Sequence, residues 1–259
     1  MSVLFNDQTF ATLELSEGTH RMENTAASLK KTARFAGALY LIWIITGLFA
    51  MFYVPSQINM KGDAASTAQN ILSNETLFRT SIVNDVLSGI LWIIMVLVFY
   101  RLFKHVDKLQ AKLLVALVVV QIPNIIFMEA FNIASLMTFK GEILKTFELA
   151  QRQDLAMLFL KINDYGVLIL EAFWGLWLFP LGILVYKSRF LPRFLGIWLF
   201  ITGVFYLALS FTDIMLPEYR NLVLNSVVAL PAELGEVAFM LWLLIMGAKE
   251  QTVNSTPMQ

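Results

Sequence analysis

The chain has 259 residues, 58% of them hydrophobic and only 15% charged, with a mean hydropathy of +0.69. A soluble domain averages nearer a quarter charged, so this composition sets the chain apart from soluble globular folds. Its 19 basic and 19 acidic residues offer no excess charge to nucleic acid or to an acidic partner, and zero cysteine excludes disulfides, thiolate metal sites and a cysteine nucleophile.

The first 32 residues are polar and read as a flexible cytoplasmic tail. They contain no apolar core of ~7–15 residues and are not read as a cleavable signal peptide. Met22 is an alternative biological start, because Glu17-Gly18 upstream of it requires purine-rich codons. A second short tail is expected at 249–259, leaving 33–248 as one transmembrane domain.

A helix crossing ~30 Å of hydrocarbon needs about 20 mostly apolar residues. Six stretches qualify: 33–54, 78–102, 111–137, 157–186, 194–216 and 222–247. The predicted fold is therefore all-α, a polytopic bundle of six transmembrane helices. The first span, "ARFAGALYLIWIITGLFAMFYV", is expected to stop at Pro55. The fourth is long enough to tilt or to begin outside the bilayer. Ahead of it, Ile143, Leu144, Phe147 and Leu155 suggest one apolar stripe of a surface helix.

Twelve Lys and Arg residues fall on the side of the termini and the second–third and fourth–fifth loops, against seven on the other. The positive-inside rule then places both termini in the cytoplasm.

Laid against depth, the polar residues of the spans gather in the outer half, and the cytoplasmic half is uniformly apolar. Helix two carries Arg79 and Asp85, followed by an apolar run. Helix three reaches Gln121, Asn124, Glu129 and Asn132 only late, within an arc of ~140°. Helix four has Lys161, Asp164 and Glu171 before its apolar half. Asp213 ends helix five, and Glu233 and Glu236 open helix six just after Pro231. A lipid-facing charge costs roughly 2.5–3.5 kcal/mol, so these faces are expected to point inward. The signs do not balance: two bases, Arg79 and Lys161, face seven acids. Some acids must then be protonated, wetted or bound to a cation.

These positions define a candidate ligand pocket open to the outside: Asp85, Gln121, Asn124, Glu129, Asn132, Lys161, Asp164, Glu171, Asp213, Glu233 and Glu236. No cofactor is expected. Carboxylates and amides without His or Cys suit a hard cation or a protonated amine. His20 and His105 lie outside the apolar runs, which removes haem or zinc ligation by histidine within the bilayer. Expected partners are membrane lipids and a small polar solute or cation. The predicted role is binding or transport. One alternative is an accessory subunit whose polar core only fixes helix register. The other is a membrane enzyme pairing Glu233 with Glu236, or Asp164 with Glu171, for acid–base work on a lipid or an exported small molecule. No nucleophile motif, phosphate loop or histidine cluster supports an enzyme. The six tryptophans read as packing or interfacial residues.

Four segments carry a resemblance: "RFAGALYLIWIITGLFA", "GDAASTAQNILSNETLFRTSIVNDVL", "SRFLPRFLGIWLFITGVFYLALSF" and "LPAELGEVAFMLWLLIMG". Across residues 33–248 the chain resembles a family of bacterial integral membrane proteins catalogued as domain of unknown function 4386. The resemblance implies a bacterial cytoplasmic-membrane protein with about six helices. It brings no activity, substrate or catalytic residue with it.

Overall fold

The structure is a computed structural model describing residues 27–60, 62–219, 221–222 and 229–249, with backbone alone at 229–233. Of the expected tails at 1–32 and 249–259, residues 1–26 (with Met22) and 250–259 lie outside the described residues, as does the Glu233 side chain. Within them the chain is all helix and turn, with no strand. Five helices are long and apolar enough to cross a membrane, and a shorter apolar helix follows them.

The first, α1, runs over Ala27–Gln57, starting before the expected boundary at 33 and passing through Pro55. A π-helical turn at Phe49–Tyr53 lies directly before that proline. The wider turn makes room for a ring that would otherwise clash with the preceding carbonyl, so the helix continues. A short helix, α2 (Ala64–Ser73), follows. The sequence reading left it within a loop. Asp63 caps it, its side chain accepting from the Ser66 N–H at 2.9 Å, and that bond holds the Asp63 carboxyl below its usual range.

The second long helix, α3, spans Glu75–Phe103. The third span, 108–140, is two helices: α4 (Lys108–Val119) and α5 (Ile122–Lys140). Pro123 sits in the first turn of α5 and accounts for the break, because it cannot donate to the preceding turn. Asp107 caps α4 through the Gln110 N–H at 3.2 Å. Gly141 ends α5 at φ +69°, the left-handed conformation that closes a helix at least cost.

The expected surface helix forms only in part. Residues 141–148 are turns, with Leu144 at φ +55°, and the helix starts at Leu149. That helix, α6, runs 39 residues over Leu149–Lys187 and opens with a capping box between Glu148 and Gln151. Then come α7 (Arg193–Met215) and α8 (Ala229–Ile245).

Successive long helices run antiparallel. One end of the bundle gathers the start of α1, the α3–α4 and α6–α7 turns and the end of α8. There Arg34 donates to the Ile245 carbonyl at 2.8 Å, Lys187 pairs with Asp107 at 2.8 Å, and the Lys249 N–H bonds the Phe190 carbonyl at 2.9 Å. At the opposite end Lys140 bridges Glu75 (3.1 Å) and Glu142 (2.9 Å), and Arg79 pairs with Glu75 at 2.7 Å.

In lipid the helices gain little from hydrophobic burial against one another, so close packing and hydrogen bonds must hold them. Glycines supply the close approach. Gly175 faces Gly203, and Gly182 faces Gly196, with each backbone so near that an added Cβ would stand 2.5–2.8 Å from the opposing carbonyl oxygen. Gly37 of α1 likewise lies against Leu244 of α8.

Two apolar clusters result. The first, toward the basic end, centres on Tyr40, Trp92, Phe99, Trp177 and Phe239. The other gathers Val54, Ile58, Ile71, Phe78, Leu136 and Leu160 beneath α2.

Candidate functional site

The chain order of these clusters locates the polar residues. On α1, Thr46 falls between Tyr40 of the first cluster and Val54 of the second. On α3, Asp85 falls between Trp92 and Ile82; on α5, Glu129 falls between the α4–α5 break and Leu136; on α6, Glu171 falls between Trp177 and Leu160. The bundle is thus apolar, then polar, then apolar along its axis.

Within the polar layer Asp85 and Glu129 lie within electrostatic range of each other, from α3 and α5. Glu129 is buried and Asp85 half-buried. Each carboxylate takes one hydrogen bond from a neighbouring amide: Asn84 Nδ2 to Asp85 Oδ1 at 3.0 Å, and Asn132 Nδ2 to Glu129 Oε2 at 3.0 Å. Asn84 also donates to the Thr46 carbonyl of α1 at 3.1 Å, and the Thr46 hydroxyl donates to Ser88 Oγ at 3.0 Å. Three helices therefore meet at this pair of acids. The ion pairs found among the described residues all sit at the two ends of the bundle. Neither carboxylate has a Lys or Arg partner there.

The other predicted residues spread out from this centre. Asn124 reaches the Gly166 carbonyl at 3.4 Å, and Asn163 reaches the Met128 carbonyl at 3.0 Å, which sets the antiparallel register of α5 and α6. That register places the fully buried Gln121 opposite the turn bearing the buried Glu171. Asp213 is buried on α7, one turn from Ser210, whose hydroxyl donates to the Leu168 carbonyl at 2.6 Å. Lys161 and Asp164 lie on an exposed face of α6, not the inward face the sequence suggested.

Glu236 makes its contacts in a different nest. The Tyr40 hydroxyl of α1 donates to its Oε2, and Tyr206 of α7 bonds the same carboxyl. Rings surround it: Tyr40 packs on Trp43 (5.7 Å), Trp177 (6.1 Å) and Phe239 (6.1 Å), and Trp174 meets Tyr206 edge-on at 6.3 Å. Tyr40 was missed in the sequence because it is embedded in "GALYLIW". The available signal was its hydroxyl, which needs a partner wherever it is buried.

No three Asp, Glu or His side chains converge as a metal-ion site among the described residues. The two carboxyls of the polar layer each accept instead from one asparagine amide.

Helices of this length and polarity, packed through glycines around a buried polar layer, define a multi-pass membrane protein. Residues 35–247 match the profile of one family, and the chain belongs to it: the domain of unknown function DUF4386. No curated protein and no solved structure matches the chain.

Proposed function

We propose that the Asp85–Glu129 layer binds a monovalent cation or a small protonated amine within the bilayer, and that the protein takes up or carries this species. The observation behind this reading is the pairing of two inward carboxylates from different helices with amide donors alone. Buried charge is strongly unfavourable unless compensated, and a bound cation compensates both acids at once. Two carboxylates and the amide oxygens beside them match a single positive charge better than the fuller oxygen shell of a divalent ion. The apolar cluster beneath α2 lies between this layer and the outer end, which fits an occluded site rather than an open channel. On the positive-inside count the basic end is cytoplasmic, six helices cross the bacterial inner membrane and both termini face the cytoplasm.

The test is a thermal-shift titration of the detergent-purified protein at constant ionic strength. Sodium, potassium and methylammonium chlorides are compared with N-methylglucamine chloride. One of the small cations is expected to raise the melting temperature of the wild type, and Asp85→Asn or Glu129→Gln to abolish the rise. Variants that melt higher than the wild type, with no cation effect in either, would sink the proposal.

A second reading has its own support. Asn84, Asn124, Asn163 and Ser210 each bond a carbonyl of another helix, which is what an accessory subunit needs to fix helix register. Under that reading Asn163→Ala costs more stability than Glu129→Gln, and no cation changes either.

A further inference from the structure

At the basic end a groove of about 380 Å³ lies between α6 and α7. Its walls are Ile183, Ile197, Phe200 and Ile201, and its floor is the backbone of Gly182 and Gly196. The two helices approach closely at this floor: a Cβ on Gly182 would stand 2.7 Å from the Gly196 carbonyl oxygen. Tyr186 and Lys187 close its end. There the Arg193 guanidinium lies over the Tyr186 ring at 5.4 Å, and Arg189 is exposed in the turn between the helices. Lys187 is held by Asp107, the one acid of the α3–α4 and α6–α7 connections. Neither arginine takes part in an ion pair among the described residues.

An apolar trough thus ends beside the Arg193 guanidinium, with Arg189 exposed in the adjoining turn and neither arginine in an ion pair among the described residues. We propose that this groove is a binding site for an anionic phospholipid. One acyl chain lies along Gly182 and Gly196, and the phosphate lies between Arg193 and Arg189. Arginine suits the task because its planar fork matches a phosphate with two parallel hydrogen bonds. Stacking on Tyr186 holds the Arg193 fork at the mouth of the trough. Basic pockets between transmembrane helices are a recurring way of selecting acidic headgroups. The site is remote from Asp85 and Glu129 and stands or falls separately from the function proposed above.

The experiment is native mass spectrometry of the full chain released from detergent, with dioleoyl phosphatidylglycerol and dioleoyl phosphatidylcholine added in competition. The wild type is expected to retain phosphatidylglycerol roughly tenfold or more over phosphatidylcholine, given about 1 kcal/mol for each arginine. Arg189→Gln with Arg193→Gln should bring that ratio close to one, whereas Arg193→Lys keeps part of it. Ile197→Trp fills the trough without touching a charge and should also release the lipid. Equal retention of both lipids by the wild type overturns the proposal. Unchanged retention of phosphatidylglycerol by Ile197→Trp overturns the acyl-chain groove. Displacement of the lipid by millimolar inorganic phosphate would overturn it too, reducing the site to a simple anion patch.

Discussion

Tyr40 and Glu236, 196 positions apart in sequence, share a buried hydrogen bond between the first long helix and the last. Tyr206 completes the clamp from α7, so one carboxyl ties three helices together. The site is buried among aromatic rings, where an unpartnered hydroxyl is costly.

Stability should follow that arrangement. Tyr40→Phe is expected to cost about 0.6 kcal/mol, the average for interhelical side-chain hydrogen bonds in a membrane protein. Glu236→Ala strands two hydroxyls and should cost about 2–3 kcal/mol. Glu236→Gln keeps an acceptor and should fall between them. Reversible unfolding in mixed micelles measures all three. A Glu236→Ala loss no larger than that of Tyr40→Phe would show that the clamp is not holding the helices.

The glycine contacts predict opposite effects for one substitution at different places. Gly203→Ala drives a methyl group to within 2.8 Å of the Gly175 carbonyl oxygen, and Gly196→Ala does the same against Gly182 at 2.6 Å. Each should destabilise by about 1–3 kcal/mol, as overpacking does. Gly47 lies within α1 with nothing within 4 Å of an added Cβ. Gly47→Ala should be neutral or stabilising by up to about 1 kcal/mol, the helix-propensity difference. The same unfolding measurement compares them.

Acid should weaken the basic end. The Lys187 ammonium beside Asp107, joined by the Gln110 N–H, holds the Asp107 carboxyl below its ordinary range. A carboxyl lowered on folding stabilises the protein above its unfolded value, near 4, and that contribution disappears as the pH drops through the lowered value. Asp107→Asn keeps a capping side chain but removes the charge. Wild type should therefore outmelt Asp107→Asn at pH 7, and the gap should close toward pH 3. A gap that stays constant with pH would assign the effect to the cap alone.

Topology can be read by labelling, since the chain has no native cysteine. Gln57→Cys and His105→Cys each place one thiol at an exposed position, at opposite ends of the bundle. In intact cells an impermeant maleimide is expected to modify Gln57→Cys, and His105→Cys only after permeabilisation. The reverse pattern would invert the proposed orientation.

The long helices were legible because lipid imposes one requirement on every residue of a span: be apolar for about 20 positions. The interruptions were less so. Pro55 looked like a stop, yet five residues of π-helix absorb it, a backbone adjustment with no compositional mark. Pro123 does break its helix. The two prolines differ only in what the preceding turn does. The α2 segment escaped because "AASTAQNILS" is too short and mixed for a span, and its apolar face is defined only by what covers it. For the polar residues, the place of Asp85, Glu129 and Glu171 between two apolar clusters follows from their order along the chain. Which acids meet does not, because one pocket's worth of residues divides among separate helix contacts. Lys161 and Asp164 face outward on a helix whose polar positions occupy more than one side.

The glycine pairs of α6 and α7 have a mechanical consequence. Sliding between helices normally relies on a cushion of side chains that can change rotamer. At Gly175–Gly203 and Gly182–Gly196 peptide comes against peptide at two points seven residues apart, with little side chain between. Such contacts favour those two helices moving as one strut. Under the proposed function, any motion that gives the Asp85–Glu129 pair access to either side of the membrane falls to the remaining helices, where α1 carries the π-turn and α4–α5 the proline break.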